Sequence, residues 1–442
     1  MKNKNLRNQL PVAIIGAGPV GLAAAAHLAL RDIPFFVIES GKTVGSNVLS
    51  WAHVKVFSPW EYNLDKAAVE LLETEGWQSP PLDDLPTGQE IFDLYLQPLS
   101  EHPLIKPFVY TQCKVVSIAK KSIDKMTNKN RENQPFLINV INKGFERFFE
   151  AKAVIDATGT WQNPNPILAN GIWTKTEKEN HGQIFYGIPE VLGSLKKRFQ
   201  NKKILVIGSG HSAINSIIEL EKLKQEFEST DIHWVMRKNK INEVYGGGDN
   251  DALVARGVLG NKIKKLIEDN VISVYTPFHI HQINKRNGKF EFIGYQFDNL
   301  RELSGFDEII VNTGSRPDTT ITSELRVEYD SVVESVPALA TLIDPNLHSC
   351  GTVRAHGEKE LTQKEKNFYI VGSKSYGRAP TFLMATGYEQ VRSVVAMLAG
   401  DEESARRVEL VLPETGVCKS DNGEGACCGN VPNNDLEVSA CC

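Results

Sequence analysis

Two stretches of the chain carry the same punctuation. Val12-Ala-Ile-Ile15 runs into Gly16-Ala-Gly18-Pro-Val-Gly21, and Lys203-Ile-Leu-Val-Ile207 runs into Gly208-Ser209-Gly210-His-Ser-Ala213. In each, an apolar run suited to a buried parallel strand meets three small residues and then a helix. The first helix, over 22–30, is built of small residues and leucines; the second shows Ile214, Ile217, Ile218 and Leu220 on a 3.6-residue period. The first small residue permits a tight turn. The second lets the backbone approach a pyrophosphate, and the third lets helix and strand pack closely, a place that Ala213 can also fill. Each helix start then offers free N–H groups and a positive dipole end to phosphates. A chain with two such units is an α/β protein with two Rossmann-like dinucleotide-binding domains.

The end of the next strand separates the two units. Phe35-Phe-Val-Ile38 ends in Glu39, near the spacing at which an acid takes a ribose hydroxyl. Ile232-His-Trp-Val-Met236 ends in Arg237-Lys238. A basic residue there pairs with a 2′-phosphate, which an acid would repel. The second site therefore favours NADPH, with Gly208, Ser209, Gly210, Ala213 and Arg237 as its binding residues; Arg237 as a plain solvated strand-end charge is the alternative. A hydride donor needs an acceptor, so the first site, with Gly16, Gly18, Gly21 and Glu39, is expected to hold a flavin.

Composition excludes several other classes. The 442 residues carry a net charge of −5, which argues against nucleic-acid and anionic-membrane partners. Residues 408–442 contain six acids and one lysine, so the rest of the chain is neutral overall. Five of the seven cysteines lie between Cys418 and Cys442, and only Cys113 precedes residue 350. That distribution fits a reducing cytoplasm better than a disulfide-stapled secreted fold. Residues 11–30 superficially resemble a signal peptide, but Pro19 and His27 interrupt them. No other stretch has the length of a membrane span.

Three further motifs bring in a resemblance. Asp156-Ala-Thr158-Gly159 follows the strand Ala153-Val-Ile155, Asn312-Thr-Gly314 follows Ile309-Ile-Val311, and Phe368-Tyr-Ile-Val-Gly372 forms a late strand. With the two fingerprints they resemble the two-dinucleotide-binding-domain flavoproteins, the superfamily of flavin-containing monooxygenases and disulfide reductases. The resemblance implies FAD beside Thr158, Gly159 and Gly372, and Gly314 closing the NADPH domain. It also implies an order of parts: FAD-binding residues 1–167, an inserted NADPH-binding domain 168–325, a second FAD-binding part 326–407, and a flexible acidic tail 408–442. Segments 114–119, 136–141 and 145–149 are expected to form a three-stranded meander on the FAD sheet.

Disulfide reductases of this fold need a cysteine pair beside the flavin, and neither CxxC nor CxxxxC occurs before the tail. Monooxygenases need a dry pocket and placed donors. Trp51, Phe57 and Trp60 could shield the flavin ring, and the Ser58…Asn63 spacing resembles the segment of flavin-containing monooxygenases whose Asn lies beside flavin and NADP. Ser58, Trp60 and Asn63 are thus the catalytic candidates, with an ordinary aromatic turn as the alternative. The Pro-Lys that usually follows that Asn is absent, and of the FxGxxxHxxxF/Y signature only His181 and Tyr186 are left as a remnant. The chain is in that respect a divergent relative. Tyr245–Asp251, Ile343–Thr352 and Lys374–Thr381 are further loop candidates, the last expected to open a helix facing the flavin.

The tail holds Cys418, Cys427-Cys428 and Cys441-Cys442. Adjacent thiolates suit soft thiophilic ions, whereas zinc prefers spaced pairs. With YGGG, HSCGTV, KSYGRAPTFLMATGYEQVRS and LPETGVC, the chain resembles the flavoprotein monooxygenases of bacterial arsenic-resistance operons. That resemblance implies NADPH- and O2-dependent oxidation of trivalent arsenicals (arsenite or methylarsenite, possibly with antimonite), the tail cysteines collecting the metalloid. Three alternatives stay open: a disulfide or metalloid reductase using tail thiols, a thiol-rich metalloid-binding protein, and an organic N- or S-oxygenase.

Overall fold

The computed structural model describes residues 10–246, 253–346, 353, 355–380 and 382–410. The first apolar run is a strand at Val12–Ile15 in the middle of a five-stranded parallel sheet. Across that sheet the order is Phe368–Ile370, Ala153–Asp156, Val12–Ile15, Phe35–Ile38 and Val109–Tyr110. The second run, Lys203–Ile207, occupies the same place in a second parallel sheet, ordered Ser273–Tyr275, Asp231–Val235, Lys203–Ile207, Glu308–Val311 and Ile184–Tyr186. The chain leaves the first sheet after Ala153–Asp156 and returns to it for Phe368–Ile370, with the whole second sheet between. Central strands are apolar on both faces because both faces are covered. Helices Pro19–Ala29 and Met384–Leu398 pack on each other against the first sheet, and His211–Glu226 and Val254–Glu268 do the same at the second.

Each sheet also has an antiparallel meander. Cys113–Lys120, Phe136–Asn142 and Phe145–Ala151 form the expected one. A second, not anticipated, comprises His279–Arg286, Lys289–Gln296 and Asn299–Phe306, whose Phe290 and Phe292 enter a core shared with Leu205 and Ile309. Both turn on two residues at positive φ, Lys143-Gly144 and Asn287-Gly288, the geometry that matches strand twist in tight hairpins.

The segment after Phe368–Ile370 departs from expectation. Residues Gly372–Tyr376 form only a short 3-10 turn, Gly377 takes φ +60°, and the helix starts at Met384. Pro380 cannot donate a helical hydrogen bond, so a helix opened at Lys374 could not continue through it. Among the described residues no helix is long and apolar enough to cross a membrane. Cys418, Cys427, Cys428, Cys441 and Cys442 lie outside the described residues, as do parts of the loops 245–251 and 343–352.

Candidate functional site

The first fingerprint closes on itself and on the crossover behind it. Gly16 takes φ +101°, and a Cβ there would lie 2.7 Å from the Ala157 carbonyl oxygen. A Cβ on Gly21 would lie 1.9 Å from the Gly16 carbonyl oxygen, so helix and turn meet without room for a side chain. Gly18, which caps the helix Pro19–Ala29, faces open space instead. The Glu39 carboxylate accepts from Ala17 N at 2.8 Å and Gly41 N at 2.7 Å, which aims it beside the turn and leaves acceptor capacity for hydroxyls. Thr158 donates from N and Oγ1 to Asp156 Oδ1, at 3.1 and 2.7 Å. Gly159 takes φ +68°, with Ser373 Oγ 3.3 Å from where its Cβ would be. Gly372 takes φ +70°, and its N–H is held by Gln390 Oε1 at 2.7 Å.

The second fingerprint repeats the construction. A Cβ on Gly208 would lie 2.2 Å from the Asn312 carbonyl oxygen, and Gly210 caps the helix His211–Glu226 facing open space. Ala213 is fully buried at the helix–strand contact, and Trp234 Nε1 donates to the Gly208 carbonyl at 2.6 Å. Ser209 sits between the two glycines on the rim of the turn. Arg237 is exposed beyond the strand end, and its guanidinium donates to the Ala169 carbonyl at 3.2 Å. In both turns the middle glycine leaves a cradle that a side chain would fill, which is the shape a pyrophosphate requires.

The segment 51–65 lies between the two sites. Phe57 packs its ring 5.1 Å from that of His211, the first residue of the second fingerprint's helix, and the buried Arg256 guanidinium lies 6.0 Å from the Phe57 ring. Trp51 meets Trp161 edge-on at 6.4 Å, and Gln162 Nε2 donates to Asn47 Oδ1 at 2.6 Å. His53 Nε2 is buried here without a hydrogen-bond partner. Ser58 and Asn63 do come together. Ser58 Oγ donates to Asn63 Oδ1 at 3.2 Å, while Asn63 Nδ2 donates to the carbonyls of Ser58 at 2.7 Å and Pro59 at 2.8 Å. The Asn63 amide is thus engaged in shaping its own loop, and Trp60 belongs to the core of the first sheet.

Behind this loop lies a buried polar group that the sequence did not advertise. His27 Nε2 lies 3.1 Å from Asp65 Oδ2, Asp65 Oδ1 caps Ala68 N, and Tyr388 OH donates to the Asn63 carbonyl at 2.8 Å. Burial pushes the Tyr388 and Tyr95 hydroxyls well above the usual phenol range, with Asp65 adding to both, so they stay protonated. The two chain crossings between the sheets are clasped as well. Ser315 Oγ donates to Thr160 Oγ1 at 2.8 Å, Asn165 N donates to the Gly314 carbonyl at 2.9 Å, and Arg316 Nε donates to Asn165 Oδ1 at 2.9 Å. Gly314 takes φ +82° in that clasp.

A second missed feature is an ion pair, Lys374 Nζ to Asp156 Oδ2 at 2.7 Å, almost fully buried. The signal was present: a carboxylate ending an apolar strand and a lysine just past another each need a partner.

A family profile described as pyridine nucleotide-disulphide oxidoreductase matches residues 13–351. The chain is 24% identical over 288 residues to the ferredoxin–NADP reductase of Wolbachia pipientis subsp. Culex pipiens (strain wPip), covering 64% of this chain and 66% of that protein. It is also 24% identical over 337 residues to that of Lactococcus lactis subsp. cremoris (strain MG1363), covering 74% of this chain and 83% of the relative. The match thus spans just under two thirds of the Wolbachia relative's own length. Among solved structures, bacillithiol disulfide reductase from Bacillus cereus superposes with a TM-score of 0.66 at 16% identity, covering 89% of this chain and 99% of that one. The ornithine N-hydroxylase of Kutzneria sp. 744 superposes with a TM-score of 0.58 at 14% identity, covering 88% and 99%. At these identities the likeness to solved structures is one of fold.

Proposed function

The chain belongs to the pyridine nucleotide-disulphide oxidoreductase family, FAD- and NADPH-dependent flavoproteins, and from that premise we propose that it is a monooxygenase of soft substrates. In this reading the inserted part 168–325 binds NADPH through Gly208, Ser209, Gly210, Ala213 and Arg237, with Gly314 at its closing turn. The flanking parts 1–167 and 326–407 bind FAD through Gly16, Gly18, Gly21, Glu39, Thr158, Gly159 and Gly372. The open cradles at Gly18 and Gly210 fit the two pyrophosphates. A flavin held there would supply a hydride acceptor for NADPH and a carrier of two electrons onward.

The observation that carries the monooxygenase reading is the aromatic wall between the sites. Phe57 on His211 and Trp51 on Trp161 tie segment 51–63 to the second fingerprint and to the crossover, an aromatic lining of the kind a dry flavin pocket needs. Ser58 and Asn63 are positioning residues in this scheme, holding the loop that presents Phe57. His53 Nε2 is the polar atom of the wall left for a substrate hydroxyl. Among the described residues the cysteine is Cys113, buried on a meander strand with its Sγ 3.1 Å from Asn142 Nδ2.

The preferred substrate is a trivalent arsenical, arsenite or methylarsenite, with antimonite as a variant. Its lone pair is the nucleophile, so positioning and dryness suffice without an acid–base pair. One oxygen atom joins arsenic, and the other leaves as water with the two electrons of NADPH and two protons. Cys418, Cys427, Cys428, Cys441 and Cys442 would collect the metalloid as thiolates. The test is NADPH and O2 consumption with arsenite, methylarsenite, antimonite or an organic amine, with peroxide measured alongside. Matched NADPH, O2 and pentavalent product supports the reading. Equal NADPH turnover without O2, onto a disulfide or a ferredoxin, overturns it.

A further inference from the structure

The Asp156–Lys374 pair stands directly behind the first fingerprint. Both side chains are almost wholly buried, at 0 and 1% exposure, and the ion pair measures 2.7 Å. Lys374 Nζ also donates to Thr158 Oγ1 at 3.1 Å, and Thr158 donates to Asp156 Oδ1 from both N and Oγ1. Asp156 and Thr158 are therefore locked on either side of Ala157. The Ala157 carbonyl is the group that crowds Gly16, 2.7 Å from its would-be Cβ. Gly159 comes next, against Ser373, the neighbour of Lys374.

The second fingerprint supplies an internal control. In strand register Asp156 lies beside Ile15, just as Val311 lies beside Ile207. The same crowded turn is thus built there with Val311, an apolar residue, and the Asn312 carbonyl stands where Ala157 stands. The fold does not need a charge at this place. A buried ion pair gains little over well-packed apolar residues, because both ions lose their hydration. The charge at the first site is therefore best accounted for by what binds there.

We infer that Lys374 is a positioning residue for FAD: through Asp156 and Thr158 it fixes the Ala157–Gly159 backbone where the flavin dinucleotide is held. This rests on the first fingerprint being the FAD site. Lys374 needs no contact with the cofactor; it acts by holding the crossover, with a fixed buried field beside it.

The test compares K374M, K374R and the double variant D156V/K374M, which copies the apolar arrangement at Val311. Each full-length protein is examined for thermal midpoint, FAD dissociation constant, flavin midpoint potential and NADP⁺ dissociation constant. K374M strands an unpaired carboxylate and should lower both the thermal midpoint and FAD affinity. K374R keeps the charge and should recover FAD affinity at least in part. The double variant decides the matter. It should regain the wild-type thermal midpoint yet bind FAD about tenfold more weakly, with a displaced flavin potential and unchanged NADP⁺ affinity. Wild-type FAD affinity and potential in the double variant, or loss of its fold, would make the pair structural and overturn the inference. Weakened NADP⁺ binding with intact FAD binding would overturn the cofactor placement beneath it instead.

Discussion

At the first fingerprint the strand beside Val12–Ile15 ends in a charge, Asp156, and the acid after the next strand is tied to two backbone N–H groups. At the second the equivalent strand ends in Val311, and two residues beyond the next strand lies Arg237, exposed with one carbonyl partner. The glycine geometry is shared: a crowded first position and an open middle one in both. One turn can therefore be built with or without buried charge. What distinguishes the two sites is the rim, acidic and hydrogen-bonded to backbone at one, basic and exposed at the other. A tightly held prosthetic flavin suits the first. A cofactor that must arrive and leave at each turnover suits the second.

The sharpest way to break that division is at the open middle glycines. Gly18→Trp should abolish FAD binding and leave NADP⁺ binding intact, because the side chain fills only the first cradle. Gly210→Trp should do the reverse. Absorbance of the purified protein reads the first and NADP⁺ titration the second. A single substitution that removes both cofactors would mean the sites are not separate.

Arg237→Ala sharpens the contrast in rims. Loss of a charge-assisted contact should weaken NADPH by roughly 1–3 kcal/mol and NADH hardly at all. The side chain is exposed, and its bond to the Ala169 carbonyl leaves further guanidinium donors for a phosphate. Equal losses for both cofactors, measured by their half-saturating concentrations, would remove Arg237 from the 2′-phosphate.

The two fingerprints were legible because their constraint is local: a few consecutive residues must contain glycine at set places. The buried braces were not. Lys374 and Asp156 lie 218 residues apart, and only the fold shows that they meet. The second meander was not anticipated although Asn287-Gly288 is a strong hairpin signal and Phe290 and Phe292 alternate into its core. Gly377 at φ +60° and Pro380 break the chain after the 3-10 turn, so the helix expected to open from Lys374 starts at Met384 instead. At Ser58 and Asn63 the spacing was informative, but it reports a loop that closes on itself.

If the two sites suffice for turnover, the cysteines beyond them should matter only for capture. Ending the chain after Pro413 should leave FAD content, NADPH reduction and the rate at saturating arsenical unchanged. The arsenical concentration for half-maximal rate should rise on the order of tenfold or more, as expected when a tethered second binding step is lost. Steady-state kinetics in thiol-free buffer checks this. Loss of turnover at every concentration would favour a reductase with shuttle thiols.

The smallest expected effect compares the two meanders. Each pairs a lysine with a phenylalanine across its first two strands: Lys120 with Phe136, and Lys285 beside Phe290. Lys120 is buried, 3.5 Å from the ring centroid, and burial lowers its pKa to about 8. Lys285 is half-buried and donates to Asn180 Oδ1 at 2.6 Å and to Gln183 Oε1. In the unfolded chain Lys120 holds its proton to about pH 10.4. Below pH 8 both states are protonated, and the fold bears the full cost of a buried cation. Between there and the unfolded pKa only the unfolded state binds the proton, so wild-type stability rises with pH. K120M removes that cost. It should stabilise the protein by on the order of 1 kcal/mol at pH 7, and the gain should shrink as pH climbs through 8 towards 10. K285M should instead lower the thermal midpoint, because it deletes two hydrogen bonds and relieves no such burial. Thermal unfolding of both variants at pH 7 and pH 9.5 reads the difference. Were K120M destabilising at pH 7, the contact with Phe136 and the bond to the Gln134 carbonyl at 3.1 Å would outweigh the desolvation of the ammonium, and the meanders would differ only in degree.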